Sequence, residues 1–262
     1  MENILLPSKM TFAPGSQDHE EILTIEPLHH GYGTTIGNAL RRVMLSSLEG
    51  AAVTGVKIKG AQHEFSTVEG VKEDMLEIIL NLKQLSLKVH SDEPITLTLS
   101  VEGRDGVVTA ADIEKNADVE VPNPEMVIAN MTSKEKKFHM EIIVERGRGF
   151  APIEERDTTG NEIGIIAVDS IFSPVLNVGL KVENTRVGEI TNYDKIIMNI
   201  LTDGTITAQE AVEQATKVIL NHFNWLENQF KHSDLMDASI DAQEQKEAEA
   251  LEVEEVKEKT EE

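Results

Sequence analysis

The sequence predicts an α+β fold with a mainly β middle section and helices near both ends. Apolar residues alternate with polar ones at 85–89, 95–101 and 138–144, as expected for half-buried strands. At 36–47 the apolar residues instead recur every three to four positions, which indicates one face of a helix. A chain of 262 residues with 40% hydrophobic residues is long enough for one large domain or two smaller ones.

The first helix follows a glycine-rich turn and is predicted to begin near residue 34. The hydroxyl of Thr34 or Thr35 is expected to cap it by accepting a hydrogen bond from a first-turn backbone N–H. Gly50 is expected to end it. Gly37 lies inside the helix and costs about 1 kcal/mol relative to alanine, so we expect another helix or another subunit to pack closely there.

The glycine spacing in this turn argues against a nucleotide site. The glycines fall at 31, 33 and 37, one residue wider than the G-x-G-x-x-G pattern of dinucleotide-binding turns. No Lys-Ser or Lys-Thr pair follows them, as a phosphate-binding P-loop requires. A nucleotide-binding enzyme therefore remains only an alternative, which saturable nucleotide affinity of the isolated chain would reveal.

Two adjacent arginines, Arg41 and Arg42, point away from the apolar stripe of the first helix. Arginines in this position either form a solvated face or bind acidic groups of a partner. The residue pattern by itself leaves both interpretations open.

A second helix and a basic run belong to the middle section. The helical stripe from Val71 to Leu82 predicts the helix, ahead of the three strands. The run Arg-Gly-Arg-Gly-Phe at 146–150 is expected to form a turn after the strand at 138–144. RNA binding through such runs usually needs many repeats, so it ranks below a protein contact, and the arginines of a turn can also simply be solvated.

The last predicted helix begins with a capping box, in which Thr207 and Glu210 each bond the other's backbone N–H. Residues in this helix repeat every seven positions in two series, as in the a and d seam of a coiled coil. The series are Val212, Ile219 and Leu226, and Thr216, Phe223 and Phe230. Periodicity alone leaves open whether this face pairs with a second copy or packs on the protein's own core.

The charge balance limits the possible partners. The chain has 24 basic and 47 acidic residues, a net charge of −23, which argues against broad non-specific DNA binding. Residues 233–262 contain 12 acidic and 3 basic residues without a sustained apolar face, which predicts an acidic, disordered tail. A second alternative is therefore a free-standing acidic binding module that works as a monomer.

Other features predict a cytoplasmic protein without membrane contact. The sequence contains no cysteine, which excludes disulfides and cysteine-ligated metals and is compatible with a reducing compartment. The first seven residues lack the basic and long apolar regions of a signal peptide. The most apolar stretch, 163–180, is interrupted by Asp169 and Pro174 and is predicted to be core rather than a membrane span.

No catalytic residue, metal or cofactor is predicted. His29 and His30 are adjacent and cannot both face one metal from a regular helix or strand. His63 and Glu64 lack the second histidine, four residues on, that a zincin helix needs. The aspartates are scattered, without the Asp-x-Asp cluster that would hold the two magnesium ions used in phosphoryl transfer.

Blocks of sequence along most of the chain follow the order of one known family. They are Glu26-Pro27-Leu28, Gly31-Tyr32-Gly33, Gly37-Asn38-Ala39-Leu40-Arg41-Arg42, Ser46-Ser47, His63 to Thr67, Glu69 to Val71, Glu73-Asp74, Leu80 to Lys83, Val108 to Ile113, Arg146 to Phe150, Asp169, Ser173 to Val175, Val182-Glu183, Arg186-Val187 and Asp194-Lys195. Over roughly residues 1–232 these blocks resemble the alpha subunit of bacterial DNA-directed RNA polymerase.

The resemblance implies a discontinuous architecture and a scaffolding role. Residues 1–49 and 176–232 would form a dimerisation domain, with the mainly β residues 50–175 inserted between them and contacting the large subunits. The homodimer would be non-catalytic and would bind the beta subunit through one copy and the beta-prime subunit through the other. It would thereby nucleate the nucleotidyltransferase that carries out transcription.

The resemblance also implies roles for single residues. The beta-subunit contacts would be Arg42, Leu45 and Lys83. The dimerisation contacts would be Tyr32, Ile36, Ile219, Phe223, Leu226 and Phe230. Arg146 and Arg148 would be further candidates for contact with the large subunits. An arginine suits such a position because its planar guanidinium can bind a carboxylate through two hydrogen bonds.

One feature departs from the family pattern. Its members usually continue past an acidic linker into a small helical carboxy-terminal domain that binds promoter DNA and activators. The sequence ends at Glu262, within the acidic stretch, so it either stops in the linker or lacks that domain. Direct DNA binding and a response to activators are therefore not carried over from the resemblance.

Overall fold

The computed structural model describes residues 4, 6–61, 63–156, 164–188 and 190–231. The predicted acidic tail, and the last residue of the predicted dimerisation domain, lie outside these residues. The described residues form mostly antiparallel strands together with three α-helices, which confirms the predicted α+β class. Within them, no helix has the length and apolar character needed to cross a membrane.

Strands from the two ends of the described chain share one four-stranded antiparallel sheet. In spatial order they are β1 (Lys9–Pro14), β2 (Glu20–Leu28), β14 (Ile190–Thr202) and β13 (Val175–Val187). Helix α1 (Tyr32–Ser46) packs on β13 and β14. The first helix therefore lies on strands that come after the middle section of the chain.

Two glycines let α1 approach this sheet closely. A Cβ atom on Gly37 would lie 2.7 Å from a methyl group of Leu180 on β13. A Cβ atom on Gly33 would lie 2.8 Å from Val182 on β13 and from Asp194 on β14. The expected close neighbour at Gly37 is confirmed, but it is a strand of the same chain rather than another helix or subunit.

Both predicted ends of α1 are wrong. The helix begins at Tyr32, and its N-cap is Gly31 in the left-handed conformation (φ 85°) that glycine tolerates. No threonine caps it, because a carboxylate from another strand satisfies the first-turn N–H groups. The helix ends at Ser46, and Gly50 lies in the strand that follows.

The middle of the chain contains a second four-stranded antiparallel sheet. In spatial order its strands are β11 (Ile166–Ala167), β3 (Glu49–Ile58), β9 (Phe138–Arg148) and β5 (Ile95–Val101). The predicted strands at 95–101 and 138–144 are confirmed, although β9 continues to Arg148. The main hydrophobic core lies in this part of the chain.

Helix α2 (Met75–Leu82) contributes to this core and is shorter than predicted. Asp74 is its N-cap, because its Oδ1 accepts a hydrogen bond from the backbone nitrogen of Glu77 at 2.8 Å. Val71 lies outside the helix, in an isolated bridge with Met131. The remaining stripe residues are buried as predicted: Met75, Ile78, Ile79 and Leu82.

The described chain also contains three two-stranded antiparallel sheets. They pair β4 (Lys88–Val89) with β7 (Val119–Glu120), β6 (Gly106–Thr109) with β8 (Val127–Met131), and β10 (Phe150–Ala151) with β12 (Ser170–Ile171). The strand predicted at 85–89 is thus limited to its last two residues. The turn predicted at 146–150 is also wrong, because residues 146–148 extend β9 by pairing with β3.

Residues 208–231 form the third helix, α3, which begins with the predicted capping box. The backbone nitrogen of Thr207 donates to Glu210 Oε2 at 2.9 Å, and that of Glu210 donates to Thr207 Oγ1 at 3.2 Å. The chain divides within this helix into one unit that ends at Thr216 and another that begins at Lys217. In the first unit α3 buries Ala208, Ala211, Val212 and Ala215.

Candidate functional site

The outward face of α1 carries two adjacent arginines. Arg41 and Arg42 are exposed, and neither forms an ion pair with any other residue that the structure describes. Leu45, one turn further along, is partly exposed. Exposed arginines that form no ion pair with the described residues favour binding to carboxylates of another molecule over a purely solvated role.

The opposite end of α1 is bound by a carboxylate that the sequence analysis did not select. Asp194 Oδ2 accepts hydrogen bonds from the backbone nitrogens of Gly31 and Gly33, both at 2.9 Å. An anion fits the N-terminus of a helix because unpaired N–H groups and the helix dipole favour negative charge there. Asp194 thus occupies the position that a phosphate would take, which disfavours the nucleotide-binding alternative.

The first turn of α1 presents the residues predicted to lie near a dimer axis. Tyr32 is 41% exposed and lies edge-on to the ring of His29, with 5.9 Å between ring centroids. The His29 ring also contacts Tyr193 edge-on at 6.3 Å. Ile36 is partly exposed one turn later. Both residues are accessible, and their role in dimerisation stays a prediction.

Lys83, a predicted beta contact, has an ionic partner in its own chain. It follows α2, and its Nζ lies 3.3 Å from Asp169 Oδ2. The other oxygen of Asp169 accepts a hydrogen bond from the backbone nitrogen of Ile153 at 3.0 Å. That backbone bond, together with Lys83, lowers the pKa of the Asp169 carboxyl. Lys83 therefore presents its charge as part of a pair, unlike Arg42.

Arg146 and Arg148 also have partners within the chain. Arg146 contacts Asp92 at 2.6 Å and Glu49 at 3.0 Å, and Arg148 contacts Glu49 at 2.6 Å. The Arg148 hydrogen bond lowers the pKa of the Glu49 carboxyl. The pairs with Glu49 join the facing ends of β3 and β9, and the pair with Asp92 joins β9 to the turn before β5. The two arginines therefore have a structural role whether or not they also contact a large subunit.

An exposed apolar pair on the small sheet β10–β12 was missed by the sequence analysis. Phe150 lies directly opposite Ile171 in the antiparallel register. The two residues are 60% and 59% exposed. Periodicity could not reveal this pair, because each strand has only two residues.

The second unit exposes the apolar side chains of α3. Phe223, Leu226 and Phe230, which belong to the predicted seam, are 62%, 45% and 71% exposed. Ile219 is partly buried. Leu220 and Trp225, which the heptad pattern did not select, are also exposed. An apolar surface of this kind on a helix is typical of a protein interaction site.

The described residues contain no group of three or more His, Cys, Asp or Glu side chains that could hold a metal ion. Their distinctive features are instead unpaired arginines and exposed apolar side chains on helices and short strands. Such surfaces bind other macromolecules.

Comparison with known proteins is consistent with surfaces that bind other macromolecules. Residues 56–173 match the family described as the RNA polymerase Rpb3/RpoA insert domain. The DNA-directed RNA polymerase subunit alpha of Alkaliphilus oremlandii is 47% identical over 230 residues, which cover 88% of this chain and 72% of that protein.

Two further relatives carry the same description. The subunit alpha of Oceanobacillus iheyensis is 56% identical over 200 residues, and that of Alkaliphilus metalliredigens is 55% identical over 200 residues. Each alignment covers 76% of this chain and 63% of the relative. The chain thus spans just under two thirds of the length of these two proteins.

Proposed function

Because this chain belongs to the family of DNA-directed RNA polymerase alpha subunits, we propose that it is a non-catalytic assembly scaffold of that enzyme. Two copies form a homodimer, which binds the beta subunit through one copy and the beta-prime subunit through the other. The observation that carries this proposal is the exposed arginine pair Arg41 and Arg42 on α1, with which none of the described residues forms an ion pair. The scaffold serves DNA-templated transcription in the cytoplasm without a catalytic group of its own.

Support for pairing comes from the exposed part of α3. Burial of an aliphatic or aromatic side chain is worth about 1.5–3 kcal/mol. Association through these side chains would therefore contribute substantially to dimer stability. The contributing residues are Ile219, Phe223, Leu226 and Phe230, with Tyr32 and Ile36 near the axis.

The dimerisation domain comprises residues 1–49 and 176–232, and residues 50–175 form the inserted domain. In support of this division, one sheet combines strands from both ends of the described chain. The match to an insert-domain family also falls at 56–173. Direct contact with DNA is not part of the proposed role.

Contact with the beta subunit depends on Arg42 and Leu45. Arg42 is free to bind a carboxylate in bidentate geometry, since none of the described residues forms an ion pair with it. Lys83 is a further contact that binds together with Asp169. Arg146 and Arg148 remain candidates for the large-subunit surface.

Affinity purification of the tagged chain from its native host tests the proposal. We expect beta and beta-prime to co-elute, and light scattering of the purified chain to give the mass of a dimer. Arg42→Ala should stay dimeric and recover no beta subunit, because the bidentate contact is lost. Lys59→Ala, which removes an exposed cation outside α1, should recover beta normally.

Two results would contradict the proposal. If Arg42→Ala recovers as much beta subunit as the unchanged chain does, Arg42 is not the beta contact. A monomeric chain that co-elutes with no large subunit would instead favour the acidic binding module.

A further inference from the structure

Strand β5 forms one edge of the sheet in the middle of the chain. β9 pairs with one side of it, and no strand among the described residues pairs along its other side. Two residues cover part of that side. Ile113 forms an isolated bridge with Leu99, and the backbone nitrogen of Glu114 donates to the carbonyl of Thr98 at 2.8 Å. Residues 95–97 are left as an open edge, without a backbone partner on this side in the described chain.

Thr96 presents its backbone N–H and C=O groups to the open edge. In an antiparallel ladder the backbone groups of successive residues point alternately to the two sides of the strand. The carbonyl of Thr98 points away from β9, so the backbone groups of Thr96, two residues earlier, point away from β9 as well. Such an edge is a template for pairing with a strand of another molecule, and proteins usually cover or block it.

A cavity of about 320 Å³ lies beside the open edge. Its lining is mostly apolar and includes Leu97, Ile113, Val119 and Val121. After Glu114 the chain leaves the edge of β5, and Asn116 forms a bridge with Val119 instead. The cavity is therefore located where the covering segment departs from the strand. Its volume is near the lower limit of ligand pockets, roughly 300–1,000 Å³, and is sufficient for an apolar side chain.

The rim of the cavity is acidic. The segment 114–125, which supplies much of the lining, has four carboxylates and one ammonium group. They belong to Glu114, Asp118, Glu120 and Glu125, and to Lys115. Glu120 pairs with His90 at 3.1 Å, and none of the other three carboxylates forms an ion pair with a described residue. Glu93 adds an exposed carboxylate just before the open edge. This excess of negative charge is complementary to a cationic partner.

We infer that the open edge of β5 binds an extended protein segment, which adds a strand beside Thr96, inserts an apolar side chain into the cavity and places Lys or Arg over the acidic rim. In β-strand addition the main-chain hydrogen bonds give affinity, and pockets for side chains give specificity. Thr96 supplies the hydrogen bonds here, and the cavity supplies the pocket. The site lies entirely within the middle section of the chain, so the inference does not depend on the scaffold role.

A synthetic peptide with these three features tests the site. The probe is fluorescein-labelled Lys-Lys-Thr-Val-Leu-Val-Thr-Lys-Lys, and its fluorescence anisotropy measures binding to the full chain at physiological ionic strength. We expect saturable binding. A peptide with Ser in place of the central Leu keeps the charge and should bind about tenfold more weakly or worse, because the cavity stays unfilled. A peptide with Glu in place of all four Lys should lose binding to a similar extent.

Two pairs of variants locate the binding. Thr96→Pro removes the outward N–H, which β9 does not use, and proline is tolerated at such an edge position; Thr96→Val keeps the N–H and is its control. Ala111→Trp fills the cavity that Ala111 lines, and Ala117→Trp adds the same ring at an exposed position outside the lining. Thr96→Pro and Ala111→Trp should each weaken binding about tenfold or more, and each control less than about twofold. If Thr96→Pro lowers the thermal unfolding midpoint, Ala111→Trp still tests the site.

Three results would overturn the inference. The first is a lack of saturable binding, or equal affinity of folded Thr96→Pro and Thr96→Val. The second is a loss of binding with Ala111→Trp but not with Thr96→Pro, which would show that the cavity takes a side chain or a small molecule without strand addition. The third is a lower mass of Thr96→Pro in light scattering, which would identify a second copy of this chain as the occupant. Capture of the large subunits by the unchanged chain is measured separately, so the proposed function stands or fails independently.

Discussion

The carboxylate of Asp194 on β14 lies 2.9 Å from the backbone nitrogen of Gly33, which is 161 residues earlier in the chain. The same oxygen accepts a second hydrogen bond from Gly31. The Asp194 side chain is 6% exposed, so these N–H groups replace the water that a carboxylate would otherwise bind. A strand that follows the middle section of the chain thus fixes the start of α1, and with it the direction in which Arg42 is presented.

Removal of this carboxylate should destabilise the protein. Asp194→Ala leaves the N–H groups of Gly31 and Gly33 without an acceptor, and we expect the free energy of unfolding to fall by about 1–3 kcal/mol. Urea denaturation at one fixed protein concentration measures the change. Asp118→Ala removes an exposed carboxylate and should alter stability by less than about 0.5 kcal/mol. Equal losses in the two variants would show that Asp194 does not anchor the helix.

The two buried glycines of α1 should respond differently to alanine. In Gly33→Ala the new Cβ would lie 2.8 Å from the Cβ of Asp194 and 2.9 Å from its Oδ2, so the carboxylate must move. In Gly37→Ala the new Cβ meets the methyl end of Leu180, which can rotate away. Alanine also favours the helix by about 1 kcal/mol.

We therefore expect Gly33→Ala to lower the thermal unfolding midpoint clearly and Gly37→Ala to change it little. Differential scanning calorimetry of the two variants measures the difference. Equal decreases in the unfolding midpoint would contradict the expectation that Leu180 can move aside for the new methyl group at a lower cost than Asp194.

A partly buried carboxyl group in the turn before α3 should make stability depend on pH. Burial raises the pKa of Asp203 above its ordinary 3.8, and hydrogen bonds from Thr205 oppose the increase only in part. The folded state therefore holds the proton more tightly than the unfolded state does. The stabilisation from this group is complete below about pH 3.8 and is lost as the pH rises through the raised pKa.

Asp203→Asn tests this linkage, because an amide oxygen can still accept the Thr205 hydrogen bonds but does not ionise. We expect the free energy of unfolding of the variant, minus that of the unchanged chain, to increase as the pH rises from 3.8 to neutrality. Denaturation at a series of pH values measures the difference. A difference that is constant or decreases with pH would contradict the assignment.

Structural features could be predicted from the sequence where the residues that determine them lie close together in the chain. The capping box of Thr207 and Glu210 needs residues only three positions apart, and the strand at 95–101 shows an uninterrupted alternation. Prediction failed where the partner is remote. The cap of α1 comes from Asp194, and the extension of β9 to Arg148 depends on pairing with Glu49. No periodicity within either segment encodes such a partner.

The same distinction applies to the candidate site. The helical period placed Arg42 on the outward face of α1, where it is exposed. It could not show that Lys83 is paired with Asp169, or that Phe150 and Ile171 lie side by side, because these contacts join segments that only the folded sheets bring together.

The exposed seam of α3 leads to the last prediction, which concerns the dimer. A charge at the seam would have to be desolvated when two copies associate, and an isolated buried charge is costly. Phe223→Asp or Ile219→Asp should therefore yield monomers, as measured by sedimentation or light scattering. Asn224→Asp adds the same charge to an exposed position one residue away, about 100° around the helix, and should leave the dimer intact. Dimers with Phe223→Asp, or monomers with Asn224→Asp, would show that the seam is not the interface.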